Sequence, residues 1–325
     1  MFYRVAECSV GAARRACGYA AQVETTALEE QSALIALLTV RPGKLTWSAI
    51  TSQVIESGSA VDVWQRHVPQ TLPGIEPAGD PLEEARTQIL GWQSGEFSLV
   101  TVLDQDYPAR LRDIHQVPPI LFARGTWVEN DRAVSIVGSR TATGPGLAFA
   151  SRAARSLVSA GFTVASGLAA GIDTAAHAAA LDATGRTVAV IGTGIRKTYP
   201  EQNRELQATI ANRGLLLSQF WPDAPPQKQN FLMRNATMSG YGLATVVVEA
   251  GETSGARAQA RIAVEHGRPV ILTQMVVDRN EWPQSLLGRP GVHVADRVED
   301  VVDIVESIAR EDAALPTLAA SATSG

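Results

Sequence analysis

From residue 104 onward, short apolar runs alternate with longer stretches whose apolar positions recur at helical spacing. The runs Val134–Gly138, Thr163–Ser166, Thr187–Gly192, Leu215–Phe220, Ala244–Glu249, Pro269–Thr273 and Val292–Ala295 are rich in β-branched residues and predict strands. Between them the spacing predicts helices over roughly 145–160, 172–183, 201–212, 232–240, 254–267 and 281–288, with a last one over 297–309. Apolar strands separated by helices imply an α/β fold: a mostly parallel sheet with helices on both faces. Such sheets bind ligands beyond the carboxyl ends of their strands. Glycine-rich turns follow Val137, Ala165 and Ile191 at three such ends.

The first hundred residues follow a different pattern. Leu28, Leu34, Ile35, Leu37 and Leu38 predict a helix over Thr26–Val40, stopped by Arg41-Pro42-Gly43. Trp47–Ile55, Ala60–Val68 and Glu83–Trp92 predict further helices, and the proline-bearing stretch Gln70–Pro81 predicts a linker or long loop. Residues 1–25 show no period and are expected to form a disordered extension. The implied order is a small helical domain over 26–100, an α/β domain over 101–310 and a disordered, small-residue tail over 311–325.

Composition narrows the partners. With 45% hydrophobic residues and a formal charge of −5, the chain has ample core and is no bulk polycation, so any nucleic-acid site is a local basic patch. Cys8 and Cys17 form no C-x-x-C pair, which speaks against a disulfide framework or zinc site and fits a reducing cytoplasm. Arg4, Glu7, Arg14 and Arg15 interrupt any signal-peptide core, and no apolar run reaches the about 18 residues a membrane helix needs.

The candidate chemistry centres on Ser166-Gly-Leu-Ala-Ala-Gly-Ile-Asp-Thr-Ala-Ala-His177 and Val137-Gly-Ser-Arg140. Backbone N–H groups of a glycine-rich turn, backed by a helix N-terminus, form an anion site. Arg140 adds a fixed charge to the same rim. The dinucleotide fingerprint fails at Gly192-Thr-Gly194, where Lys197 replaces the third glycine, and it fails again after Gly138; a P-loop is absent. Asp173 and His177 share a helix face. One reading is an acid/base pair or metal half-site; the other has Asp173 charging the helix N-terminus while His177 holds the turn. Lack of a third ligand or nucleophile favours the second reading.

Arg186, Arg196, Lys197 and Arg204 surround Gly194 and Tyr199-Pro200. They read either as a phosphate track with a ring for a base, or as ordinary charges around a pinned loop. Arg234-Asn235 offers a bidentate phosphate contact or an internal ion pair. Glu249 suits a ribose, an orienting contact to Arg234, or a carboxylate satisfied by backbone donors; Ser254-Gly255 opens the next helix.

Taken in order, Asp106-Tyr-Pro-Ala-Arg-Leu, Pro118-Pro119-Ile-Leu-Phe, Val137-Gly-Ser-Arg140, the 166–177 segment, Val188-Ala-Val-Ile-Gly192, Tyr199-Pro200, Phe231…Arg234-Asn235, Val248-Glu-Ala250, Ser254-Gly255 and Gly267-Arg-Pro269 resemble the DprA/Smf family of DNA-processing proteins. The resemblance covers roughly residues 100–275. It implies a Rossmann-like core of the SLOG class behind a small helical domain, and a cytoplasmic homodimer that binds single-stranded DNA and helps load a RecA-type recombinase, notably in natural transformation. It implies no enzyme activity and no cofactor or metal. Carried over, Gly138, Ser139, Arg140, Ser166, Gly167, Lys197, Arg234 and Asn235 would line the DNA or phosphate pocket. Gly171, Asp173, His177, Gly192, Gly194, Glu249, Ser254 and Gly255 would support it.

Four departures stand out. Ser218-Gln219 replaces the usual Ser-Glu, and Arg234-Asn-Ala-Thr237 replaces Arg-Asn-Arg-Ile, which is expected to remove one cation from the DNA surface. Thr273-Gln-Met275 stands where Pro-Gly is usual, and the remaining length is expected to leave no room for the winged-helix domain that many members carry. Two other functions compete. A SLOG-type sensor of a nucleotide ligand, of the kind that could serve defence, would use the same strand ends. A nucleotide N-glycosidase is the weaker alternative, because Gln259 stands where its glutamate would fall and an amide cannot act as general base.

Overall fold

The computed structural model describes residues 26–68, 79–93 and 95–322. The extension expected at 1–25 and most of the linker expected at 70–81 lie outside the described residues. The chain divides into two units, one holding the residues up to Gly95 with Thr101–Gln105, the other Glu96–Val100 with Asp106 onward.

The first unit is helical: α1 (26–40), α2 (Trp47–Ser57), α3 (Ala60–His67) and α4 (Pro81–Gln93). Its helices start where side chains satisfy free N–H groups. Thr46 caps α2 and Ser59 caps α3, and the Glu30 carboxylate receives the Ser59 hydroxyl and the Ala60 and Val61 N–H groups. Gly58, at φ +71°, ends α2. Of the positions whose spacing predicted α1, Leu34, Ile35, Leu37 and Leu38 are buried and Leu28 is partly so; Ile50, Val54 and Val63 of α2 and α3 are buried as well.

The second unit is built on nine strands: β1 (Ser98–Thr101), β2 (Ile120–Gly125), β3 (Ala133–Gly138), β4 (Thr163–Ser166), β5 (Thr187–Val190), β6 (Leu215–Ser218), β7 (Ala244–Glu249), β8 (Val270–Thr273) and β9 (Val292–Ala295). Their order is β1-β2-β6-β5-β4-β3-β7-β8-β9. β2 runs antiparallel to β6, and β6 through β9 are mutually parallel. The helices are α5 (Ala109–Arg112), α6 (Gly144–Ser159), α7 (Ile172–Asp182), α8 (Arg204–Arg213), α9 (Lys228–Tyr241), α10 (Gly255–Glu265), α11 (Gln274–Arg279) and α12 (Val298–Ala322). Val134, Ile136, Val164 and Val246 meet Phe149, Leu157, Ile172, Val301 and Val305 in one buried cluster, which fixes α6, α7 and α12 on one face. α9 and α10 pack together against β3 and β7.

The α/β architecture is therefore the one the alternation predicted, with three differences. β1 and β2 lie ahead of the predicted strands; their short runs follow a turn and a Pro-Pro pair, and the four-residue α5 between them is too short to show a helical period. The helix expected at 281–288 is a 3-10 turn over Trp282–Ser285, while α11 lies earlier, directly after β8. The tail expected to be disordered from 311 continues α12 as far as Ala322, in line with the helix propensity of its alanines and leucines. Among the described residues no helix is long and apolar enough to cross a membrane.

The topology places the functional edge. From β3 the chain moves through β4 to β6 on one side, then returns to β7 and proceeds through β9 on the other. The crevice beyond the carboxyl ends of β3 and β7 is the switch point where such folds bind ligands.

Candidate functional site

At the switch point the crevice is already occupied by the protein. The β3–β7 register shifts between Val137 and Gly138, so that Gly138 pairs with Glu249. Such a bulge re-aims side chains. The Glu249 carboxylate accepts from the Thr143 N–H (3.1 Å) and hydroxyl (2.8 Å), while the Thr143 hydroxyl caps α6 by accepting from Gly146 N–H at 3.2 Å. A negative group thus stands at the α6 N-terminus, where a phosphate would otherwise be favoured. Of the readings open for Glu249, satisfaction by nearby donors holds; its partner is Thr143 rather than Arg234.

The next crossing, from β4 to α7, is also filled. Asp173 is buried and its carboxylate accepts from the N–H groups of Gly167 (3.1 Å) and Ala169 (3.3 Å). Burial raises its pKa, opposed by the Arg234 charge and by these two N–H groups. The N–H donors expected to bind an external anion are therefore spent on Asp173, which corrects the anion-site reading of this loop. Leu168 holds a left-handed φ of +57° within it, and Asn203 ties the strained turn down by donating to Leu168 O and Thr174 Oγ1, each at 2.9 Å. The Ser166 hydroxyl donates inward to Ile136 O at 2.6 Å, so Ser166 is part of the scaffold, not of a DNA pocket.

His177 is fully buried, with Nδ1 2.7 Å from the Thr187 hydroxyl, which donates onward to Val164 O. That chain of bonds puts the proton on Nδ1. Burial, aided by the Arg234 charge, lowers its pKa to about 3, and the ring is neutral. His177 holds strand β5 rather than the turn, and neither it nor Asp173 is available as an acid/base pair. Among the described residues no group of His, Cys, Asp or Glu is placed to hold a metal ion.

The open part of the edge is made by α9 and the loops after β3 and β5. Arg234 is 5% exposed; its Nη1 donates to Val190 O at 2.7 Å, and its guanidinium lies where a Cβ on Gly167 would be. Its Nε has no hydrogen-bond partner. Burial lowers its pKa, Asp173 counteracts this, and the neighbouring charge of Arg140 adds to it. Arg140 is exposed, its guanidinium 5.4 Å from the centre of the Phe231 ring. Phe231 stands one helical turn before Arg234, packed where a Cβ on Gly192 would be, and Tyr199 lies 5.4 Å from it at 45° with 40% of its surface exposed. Two arginines and two rings thus share one rim.

The remaining predicted residues have structural or paired roles. Ser139 accepts from Thr141 N–H at 3.1 Å, Asn235 donates to Gly255 O at 3.2 Å, and Ser254 caps α10 through Arg257 N–H. Gly138, Gly171 and Gly194 lie against Ile172, the Ser139–Arg140 backbone and the Trp221–Pro222 backbone. Lys197 pairs with Asp223 at 3.6 Å, as Arg196 does at 2.8 Å; Arg204 pairs with Glu201, and Arg186 pairs with Asp131 at the opposite end of the sheet. The position expected to lose a surface cation, Ala236, is buried, and Thr237 donates to Gln219, so the two departures are joined in the interior. Sequence reasoning passed over Phe231 as a ring of the rim. Its Phe-x-x-Arg spacing on a helix was the available signal.

Known proteins share this architecture. The family model for DNA recombination-mediator protein A matches residues 98–308. The chain is 41% identical over 173 residues to protein Smf of Synechocystis, spanning 52% of this chain and 44% of that protein, less than half its length. It is 38% identical to DNA processing protein DprA of Streptococcus pneumoniae over 70% of this chain and 84% of that one. The X-ray structure of the S. pneumoniae protein superposes with a TM-score of 0.61 at 30% identity, over 79% and 94% of the two chains. DNA processing protein A from Helicobacter pylori, studied for its single-stranded DNA binding mode, shares the fold at a TM-score of 0.58 and 22% identity, over 66% of this chain and 97% of that one.

Proposed function

Because the chain belongs to the DNA recombination-mediator protein A family, we propose that its strand-end rim binds single-stranded DNA without catalysing a reaction, and that the protein delivers the strand to a RecA-type recombinase. The observation that carries this reading is Arg140 held over Phe231, beside the recessed Arg234 and the exposed Tyr199 ring. Aromatic faces accept any base and arginines neutralise phosphate, which together give sequence-tolerant binding of single strands. Single-stranded DNA binding is the property named for the H. pylori relative with this fold. Duplex DNA keeps its bases stacked away from such rings. Homodimerisation, a cytoplasmic setting and a role in recombination or uptake of transforming DNA belong to the same proposal.

A non-catalytic role is supported by the state of the candidate acids and bases. Asp173 and Glu249 are engaged by backbone and threonine donors, His177 by Thr187, and Gln259 is a buried amide. A nucleotide-ligand sensor is the second reading, favoured by the recessed Arg234, which has no acid within ion-pair distance among the described residues.

Binding of labelled single- and double-stranded oligonucleotides across a salt series tests the proposal. The wild-type chain should prefer single strands and lose affinity steeply with salt. Arg140→Ala, an exposed change, should weaken single-strand binding roughly tenfold and flatten the salt slope by about 0.7. Absence of single-strand binding at low salt would refute the mediator reading and direct screening to nucleotide ligands.

A further inference from the structure

The loops after β5 and β6 are laced together, with Gly194 N–H donating to Ala224 O (2.9 Å) and Arg196 N–H to Pro222 O (3.0 Å). This lacing brings Asp223 between two cations. One carboxylate oxygen meets Arg196 at 2.8 Å and the other meets Lys197 at 3.6 Å, with all three side chains about half exposed. Two nearby ion pairs join residues close in sequence, Arg204–Glu201 and Arg257–Glu252. Asp223 reaches its partners from a different loop and, among the described residues, is the acid that serves two cations. Beneath it, the Arg196 guanidinium lies 5.0 Å from the centre of the Phe97 ring, so its position is set from two sides. Lys197 is two residues from Tyr199 and therefore continues the rim described above.

We propose that Asp223 is a built-in competitor for DNA phosphate: it holds Arg196 and Lys197 in place in the free protein and must yield them when a strand extends along the strand ends from Arg140. The inference rests on the single-stranded DNA reading. It makes Asp223 a positioning residue that limits affinity, since every phosphate bound on this side displaces an ion pair to the carboxylate. Exposed pairs of this kind are weak enough to exchange. The stacked Arg196–Phe97 pair would remain as a second cation and ring, with Arg196 on the loop after β5, two strands along the sheet from the β3 end that carries Arg140.

Oligonucleotide binding by the full chain tests this with Asp223→Asn, and with Asp182→Asn as a control of equal charge at the far end of α7, where Asp182 is 71% exposed. Asp223→Asn should tighten single-strand binding roughly fivefold and steepen the salt slope by about 0.7 to 1.4, as one or two further phosphates are neutralised. Adding Lys197→Ala to Asp223→Asn should return about half of that slope. If Asp223→Asn behaves as Asp182→Asn does while the wild type binds single strands, the competitor role is overturned and the DNA reading stands. If neither the wild type nor Asp223→Asn binds single strands at low salt, the DNA reading is overturned and this inference with it.

Discussion

The crossings from β3 to α6 and from β4 to α7 begin with the same materials: a strand end, a small-residue turn and a helix N-terminus facing outward. Both are closed by a carboxylate from the chain itself, Glu249 at one and Asp173 at the other. They differ in what lies beside the carboxylate. Around Glu249 the neighbours are Thr143 and the start of α6; around Asp173 stands Arg234, a buried cation backed at the surface by Arg140, Phe231 and Tyr199. The difference shows that a helix N-terminus at a strand end is not in itself a ligand site. An internal acid removes its attraction for anions, and the remaining attraction comes from side-chain cations that no acid contacts.

The largest effect on this contrast should come from Gly167→Ala. A methyl group there overlaps the Arg234 guanidinium, and no flexible end is free to yield because Nη1 is tied to Val190 O. Displacing Arg234 should cost about 2–4 kcal/mol of stability, by overpacking and loss of a buried hydrogen bond, and should weaken single-strand binding at least about tenfold. Denaturant unfolding and oligonucleotide binding read the two effects separately. Full stability with unchanged binding would show that Arg234 does not define the open side.

Acid should act on the α7 side through His177. Its folded pKa of about 3 lies below the ordinary histidine value of 6.5, so between those values the unfolded chain takes up a proton that the folded chain refuses. This contribution is complete above pH 6.5 and is lost as pH falls, by roughly 1.4 kcal/mol per unit and about 5 kcal/mol in all by pH 3. His177→Asn, which keeps a donor near the Nδ1 position, should flatten the stability profile between pH 6.5 and 4. A variant as acid-sensitive as the wild type would mean that other groups govern acid unfolding.

What could be read from the sequence divides along the same line. Strands at Thr163–Ser166, Ala244–Glu249 and Val292–Ala295 were legible because each is a short, mainly apolar run rich in β-branched residues. Arg140 was legible as a rim cation because it follows a strand directly. The saturation of the Gly167 and Ala169 donors was not, because the sequence places Asp173 on a helix face without showing that its carboxylate folds back over six residues. Nor was the burial of Arg234. α9 has no apolar stripe to orient it; Asn230, Arg234, Asn235, Thr237 and Ser239 are all buried in it. A polar helix without amphipathic pattern reads as exposed until its partners are known.

The smallest predicted effect is the sharpest test of the comparison. Glu249→Gln preserves the shape of the side chain at the switch point but removes its charge and turns one acceptor into a donor facing the Thr143 N–H. With the α6 N-terminus less well neutralised, stability should fall by about 1 kcal/mol, seen as a roughly 2–4 °C lower Tm. Single-strand affinity should stay within about twofold of the wild type, since Glu249 contacts Thr143 and α6 rather than Arg140, Phe231 or Arg234. A large increase in affinity would mean that the uncovered α6 N-terminus receives a phosphate once its carboxylate is neutralised. The two crossings would then be equivalent sites, one of them masked, and the contrast drawn between them would fail.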